Sequence, residues 1–315
     1  MKDAFGRTID YLRLSVTDLC DLRCVYCMGP EGVPKLAHGE ILSLEELTEL
    51  ARCAVELGIT KIRLTGGEPL ARRGIVELCA MLKSIDGLRE LAMTTNAQAL
   101  PLMAEPLREA GLDRLNISLD TLDPAQYRAL TRVGSLSRAL AGLEAARAAG
   151  FRDLKLNAVL LGGINETQIR PLAELARDEA LCVRFIELMP LGVCATFPKE
   201  RFLPAERVLE LLPELEPLDR DGVARRYTAP GWAGSVGLIS PMTAHFCPDC
   251  SRIRITSRGN LKPCLHSPEE FPLRGLHGEE LKQAMARAVA AKPERHHLSP
   301  KTPSPAGRAM YEIGG

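Results

Sequence analysis

The sequence predicts an α/β fold: an incomplete (β/α)6, TIM-like barrel followed by a smaller C-terminal region. Three observations carry this. Short runs of branched apolar residues alternate six times with longer amphipathic stretches, the rhythm of a parallel sheet with helices outside it. Of the 315 residues, 46% are hydrophobic, enough for a full-sized core. After Met189-Pro190 prolines and glycines become frequent and the rhythm breaks, which divides the chain into residues 1–190 and 191–315.

The strands are read in order as Tyr11 to Val16, Lys61 to Thr65, Leu91 to Thr94, Arg114 to Leu119, Leu154 to Leu160 and Cys182 to Ile186. Ser43 and Glu46 form a capping box, and the helix it opens runs through Leu44, Leu47, Leu50, Ala51 and Ala54 to a stop at Gly58. Further helices are expected near Ile75 to Lys83, Pro101 to Ala110, Ser137 to Ala149 and Glu166 to Arg177. In the C-terminal region Leu203 to Leu212 reads as a helix, Val236 to Ser240 and Arg252 to Thr256 as short strands, and Glu279 to Ala290 as a last helix. A polar, proline-rich tail ends at Ile313-Gly314-Gly315 and by composition alone reads as a frayed end.

Lys plus Arg and Asp plus Glu number 40 each, so no overall field recruits nucleic acid or an anionic membrane. Met1 to Asp10 lacks the apolar core of a signal peptide, and no apolar run is long enough to cross a bilayer. A cytoplasmic enzyme is expected. In a reducing compartment clustered cysteines point to metal binding or catalysis rather than disulfides. Six of the ten are clustered; Cys53, Cys79 and Cys182 read as small core hydrophobes, and Cys194 falls in a loop-like stretch.

Cys20, Cys24 and Cys27 follow the first strand, and so lie at its carboxyl end, where barrel enzymes place their chemistry. Thiolates select iron-sulfur clusters or zinc, and a closed site of either kind wants four protein ligands. Three leave one iron of a cluster open to a small molecule; the alternative is a zinc knuckle with a distant fourth ligand. This spacing, with Tyr26 just before the third cysteine, resembles the radical S-adenosylmethionine superfamily. The resemblance implies a [4Fe-4S] cluster whose open iron is chelated by S-adenosylmethionine, which is cleaved to a 5'-deoxyadenosyl radical. Thr65-Gly66-Gly67-Glu68-Pro69 is similar to the superfamily's motif for the methionine amino group, with Gly67 as the contact. Ser118 and Met189, after the fourth and sixth strands, match its other cofactor contacts.

Cys247, Cys250 and Cys264 form a second trio. A second cluster with a free iron for substrate is the favoured reading; His245 or His266 offers a fourth ligand for zinc instead. Together the two trios resemble the GTP 3',8-cyclase family, known as molybdenum cofactor biosynthesis protein A, over Arg13 to Gly315. That resemblance implies GTP as substrate with guanine on the second cluster, abstraction of the ribose 3' hydrogen, and attack of the carbon radical on C8. It implies cyclic pyranopterin monophosphate synthase as the downstream partner and an electron donor such as flavodoxin or ferredoxin, and it is compatible with a homodimer. A triphosphate needs fixed cations. Arg13, Arg63, Lys155 and Arg184 on strands, with Arg252 and Arg254 beside the second trio, match the family's contacts, as do Ile253 between them and Thr94. Alternation aims Arg13 and Lys155 away from their leucine neighbours, inward in a barrel. Gly314 and Gly315 match a family tail that enters the active site.

Two departures are visible: Gly29 is an extra residue before Pro30, and Ser251 stands where asparagine is usual. The rival readings are a peptide-modifying radical enzyme, which usually carries more C-terminal cysteines, and a zinc-stabilised nucleic-acid-binding module, against which neutral charge and few aromatics weigh.

Overall fold

The computed structural model describes residues 1–34, 37–299 and 302–314. Six parallel strands form its centre: β1 (Tyr11–Ser15), β2 (Lys61–Thr65), β3 (Glu90–Thr95), β4 (Arg114–Ser118), β5 (Lys155–Leu160) and β6 (Cys182–Glu187). The connecting helices are α1 (Leu44–Glu56), α2 (Ile75–Lys83), α3 (Leu100–Glu109), α4 (Pro124–Thr131), α5 (Leu136–Ala148) and α6 (Ile169–Asp178). On α1 the expected capping box forms, with Ser43 Oγ accepting from Glu46 N at 3.1 Å and Glu46 Oε2 from Ser43 N at 2.7 Å. The sequence reading missed α4, although its signals are local: Asp123 accepts the Gln126 N–H at 2.6 Å, and Pro124 opens the first turn.

The C-terminal region continues the same sheet rather than building a second one. It contributes α7 (Arg207–Leu211), β7 (Glu216–Asp221), β8 (Ala224–Thr228), β9 (Ser235–Ile239), β10 (Arg252–Ile255), β11 (Asn260–Lys262), β12 (Phe271–Pro272), α8 (Gly278–Ala290) and α9 (Met310–Ile313). The strand order is β12-β11-β10-β1-β2-β3-β4-β5-β6-β9-β8-β7. Both β9 and β10 run parallel to their central neighbours, β6 and β1. The remaining outer strands are antiparallel hairpin partners. α7 starts later than expected because residues 204–206 form tighter i→i+3 turns, with Arg207 N donating to Pro204 O and Val208 N to Ala205 O, both at 3.1 Å.

Period-two alternation decides which side chains face where. Leu12, Leu14, Ile62, Leu64, Leu91, Leu115, Leu156, Val183 and Phe185 are at most 1% exposed and belong to the core shared with the helices. The opposite face carries Arg13, Arg63, Thr94, Asn116, Lys155 and Arg184: Arg13 pairs with Arg63, Thr94, Asn116 and Lys155 stand in one row, and Arg184 lies opposite Asn157.

Helix α5 lies against the start of α3 through Gly142, where a Cβ would run into the Ala97 carbonyl. Helix propensity alone favours alanine there by about 1 kcal/mol. Overpacking against rigid backbone costs about 1–3 kcal/mol. We expect Gly142→Ala to lower stability by roughly 1 kcal/mol in a denaturant melt, the larger effect winning; a variant as stable as the parent would show that the α3–α5 contact yields.

Candidate functional site

The first trio sits on the loop leaving β1, and the segment α4 holds that loop. Arg23 N and Val25 N donate to Thr131 O and Leu130 O at 3.0 and 2.9 Å. Arg132, in the left-handed region at φ 63°, donates from Nη1 to Arg23 O at 2.8 Å and Met28 O at 2.9 Å. Cys27 N and Met28 N both donate to Cys24 O, closing the turn that brings Cys24 and Cys27 together. Tyr26 donates its phenol to Asp120 Oδ2 at 2.6 Å. None of Arg132, Asp120 or α4 was singled out from sequence, where each reads as an ordinary surface or turn residue.

The second trio lies at the other end of the strands. Cys247 and Cys250 precede β10, and Tyr11 N at the start of β1 donates to Ser251 O at 3.2 Å. Since β11 returns antiparallel to β10, Cys264 just beyond it arrives beside Cys250. About one strand length, roughly 15 Å, thus separates the trios. Arg7 ties the second loop to the chain's last third, donating to Cys247 O at 2.9 Å, Glu294 O at 2.7 Å and Pro293 O at 2.7 Å. The buried Lys292 donates to Arg252 O at 2.8 Å and Pro263 O at 2.7 Å, clamping the two cysteine-bearing segments together.

One cavity connects both trios and takes lining residues from all eight parallel strands, which a flat sheet cannot supply. All six clustered cysteines line it, as do Tyr26, Gly67, Thr94, Ser118, Met189, Arg13, Arg252 and Arg254. Arg63, Lys155 and Arg184 face the same interior but lie next to the cavity rather than on its wall. Ile253 differs: its side chain is fully buried in the helix-facing core, so only its backbone is available to a ligand. The sequence reading missed Tyr11, Lys61 and Arg114, which the same alternation places on the inner face. Burial and the neighbouring Arg13, Arg114 and Arg184 pull Arg63 down to about 10. Against burial, Arg63, Arg13 and Arg252 bring the Tyr11 phenol down to about 8. Nε of Arg13, Arg63 and Arg184, with Ser15 Oγ, Thr65 Oγ1 and Asn157 Oδ1, are buried without a protein partner. Such orphaned polar atoms belong to a binding surface rather than to a finished core.

The donor sets fit the cluster chemistry expected of them. All ten cysteines are free. Burial pushes Cys20 up to about 12 and Cys27 to about 11, and Cys24 well above its ordinary value, with the neighbouring thiols adding to Cys20 and Cys24. A bound metal reverses that balance by holding the thiolate form. Among the described residues no three His, Cys, Asp or Glu groups converge on a point that would hold one metal ion. A four-iron cluster spreads its irons over the corners of a cube and takes more widely set thiolates. His245 packs tilted and His266 edge-on against His296, at ring-centroid distances of 4.4 and 4.9 Å. The Gly66-Gly67 turn forms a cradle that no side chain could share, because a Cβ on either would strike the Thr17, Asp18 or Leu19 carbonyls. Glu68 pins that turn to β3, accepting from Leu70 N, Thr95 Oγ1 and Asn96 N at 2.7–3.0 Å.

Comparison with known proteins agrees with this geometry. Residues 14–176 match the model of the Radical SAM superfamily, and residues 181–298 that of Molybdenum Cofactor Synthesis C. The GTP 3',8-cyclase of Alkaliphilus oremlandii is 46% identical over 320 residues, covering 100% of both chains. That of Geobacter sulfurreducens is 47% identical over 323 residues and 99% of each. This chain belongs to the GTP 3',8-cyclase family. Membership of the radical SAM superfamily implies a [4Fe-4S] cluster and S-adenosylmethionine. Streptococcus suis SuiB, solved bound to S-adenosylmethionine, shares the fold at a TM-score of 0.63 and 17% identity over 90% of this chain and 65% of that one.

Over its described residues 302–314 the tail of this family member packs onto the body of the protein, contrary to the frayed end that its composition suggests. Ser304 N donates to Pro190 O at 2.8 Å, Arg308 forks onto Glu270, and Ala306 and Ile313 are buried against Leu191. Arg254 donates to the Gly314 carbonyl, and the Gly314 Cα faces Thr65 and Ser15 too closely for any side chain. Gly315 lies outside the described residues. No helix among the described residues is long and apolar enough to cross a membrane.

One thiol of the second trio, Cys250, differs from those of the first. Burial raises Cys250, but Arg252 and Lys292 outweigh it and bring the thiol down to about 7. In metal-free protein, brief treatment with iodoacetamide near neutral pH is expected to modify Cys250 well before Cys20 or Cys27, and Lys292→Met is expected to slow that step several-fold. Peptide mapping by mass spectrometry reads both; equal labelling of all three would contradict the charge assignment.

Proposed function

We propose that this enzyme converts GTP to 3',8-cyclo-7,8-dihydroguanosine 5'-triphosphate, the first step of molybdenum cofactor biosynthesis, with both cysteine trios serving one substrate. The observation that carries it is a single inward-facing, cation-lined cavity with three thiols at each end. When bound, a [4Fe-4S] cluster and S-adenosylmethionine at the first trio supply a 5'-deoxyadenosyl radical, and a second [4Fe-4S] cluster offers guanine an open iron.

The chain's own residues then bind, orient and exclude water. Cys20, Cys24 and Cys27 ligate the first cluster, and Cys247, Cys250 and Cys264 the second. The backbone at Gly67 receives the methionine amino group, while Tyr26, Ser118 and Met189 border the rest of the sulfonium compound. Arg13, Arg63, Lys155, Arg184, Arg252 and Arg254 hold the triphosphate, with Thr94 and the backbone of Ile253 beside them. Arginine forks suit phosphate because each offers paired donors in one plane. The buried, unpartnered Nε atoms of Arg13, Arg63 and Arg184 are donors of the kind this role needs. Gly314 borders the ribose side, where a residue without a side chain fits between Thr65 and Arg254. The product passes to cyclic pyranopterin monophosphate synthase, and a reduced flavodoxin or ferredoxin supplies the electron.

Anaerobic enzyme given GTP, S-adenosylmethionine and a reductant is expected to form a cyclised nucleotide detectable by mass spectrometry; GTP recovered unchanged, with S-adenosylmethionine cleaved, would reject the substrate. By ligand count two clusters give about eight iron and eight sulfide per chain, whereas zinc without sulfide would point to a structural metal. Cys24→Ala is expected to abolish S-adenosylmethionine cleavage, while Cys264→Ala leaves uncoupled cleavage and little cyclisation. Equal losses in the two would refute divided labour. Deleting Gly314 and Gly315 should spare iron content and reduce cyclisation; unchanged turnover would remove the tail from the site.

A further inference from the structure

Lys155 and Arg184, two of the cations assigned to the triphosphate, already share a partner. Both form ion pairs with the same oxygen, Oδ2, of Asp221, the last residue of β7. β7 is an edge strand whose other five residues are exposed, so Asp221 is its point of contact with the interior. The sequence reading expected no hairpin here, and three features aim this carboxylate. The β7–β8 pairing shifts register between Leu218 and Asp221, an irregularity of the kind that redirects a side chain. Gly222, at φ 58°, makes the tight turn that follows. On β9, opposite Arg184, stands Gly237, and a Cβ there would press on the Arg184 stem at 3.0 Å and on Ala224 at 3.5 Å. The missing side chain is therefore the passage through which Arg184 crosses β9 to reach the hairpin.

The two cations are not exhausted by this pairing. Lys155 Nζ has three donors and one described acceptor, and Arg184 Nε is buried with none. Lys155 and Arg184 side chains are only 6% and 9% exposed, whereas Asp221 is 36% exposed at the hairpin turn and can move without disturbing the core. Burial and Arg184 hold the Lys155 ammonium down to about 8 while Asp221 supports it.

We propose that Asp221 is a specificity-determining residue that competes with the substrate's phosphates for Lys155 and Arg184. A ligand must carry enough negative charge to hold both cations against an anion attached to the protein. Each added phosphate raises that charge, so the competition favours a nucleoside triphosphate over the di- and monophosphates with the same base. This inference rests on the triphosphate reading of the cations, and its test uses probes without a base so that the two can fail separately.

The affinities of the full-length reconstituted enzyme for inorganic tripolyphosphate, pyrophosphate and phosphate are measured by titration calorimetry, beside GTP, GDP and GMP. In Asp221→Asn we expect pyrophosphate and GDP to bind roughly tenfold more tightly, with a smaller gain for the triphosphates, so that discrimination by phosphate number narrows. Weaker binding of every phosphate would show that Asp221 only orients the two cations, and unchanged ratios would show that it plays no part; either overturns the proposal. Asp221→Ser repeats the measurement should the asparagine variant misfold. Narrowed ratios for the inorganic probes in an enzyme that does not cyclise GTP would sustain Asp221 and overturn the substrate. Cyclisation with unaltered ratios would do the reverse.

Discussion

Burial of like charges inside a curved sheet is the constraint on which this structure turns. Guanidinium groups on β1, β2, β4, β6 and β10 face one interior, and desolvation together with mutual repulsion opposes that arrangement. It is tolerated because the alternate residues of the same strands bury leucine, isoleucine, valine and phenylalanine against the surrounding helices. The outward face stabilises the sheet, and the inward face is left free to be poorly satisfied. Function and stability are thereby assigned to odd and even positions of the same four- to six-residue strands.

The second consequence is directional. Parallel strands have all their carboxyl ends at one rim, which places the first cysteine loop and the Gly66-Gly67 cradle together. The C-terminal region adds β10 parallel to β1, so a loop entering β10 opens at the opposite rim. Sheet topology alone therefore sets the two thiol trios apart and threads the cations between them. Arg7 and Lys292 then fix the second loop by backbone carbonyls, without occupying its sulfur atoms.

Much of this was legible in the sequence. The six central strands fall within a residue or two of their expected ends, because β-branched and aliphatic runs are the strongest local signal. Both cysteine trios are visible as spacing, and alternation aims Arg13 and Lys155 inward, whereas Arg63, Arg184, Arg252 and Arg254 were singled out by the family resemblance. What escaped is what depends on distant partners. The β7–β8 hairpin is polar and exposed, so Asp221 gave no sign that it would meet Lys155, 66 residues earlier in the chain. The tail reads as disordered by composition, yet Glu270 and Arg254 hold it. The short α4 was hidden by its length and by the extended-looking segment before it, although its cap and proline were there to be read.

The central claim is that one nucleotide spans the cavity, with its ribose presented to the radical formed at the first trio. The most direct measurement follows a hydrogen atom. With GTP deuterated at the ribose 3' position, the account predicts deuterium in the 5'-deoxyadenosine recovered after a single turnover. Label retained wholly in the nucleotide, while 5'-deoxyadenosine forms at the same rate, would contradict it.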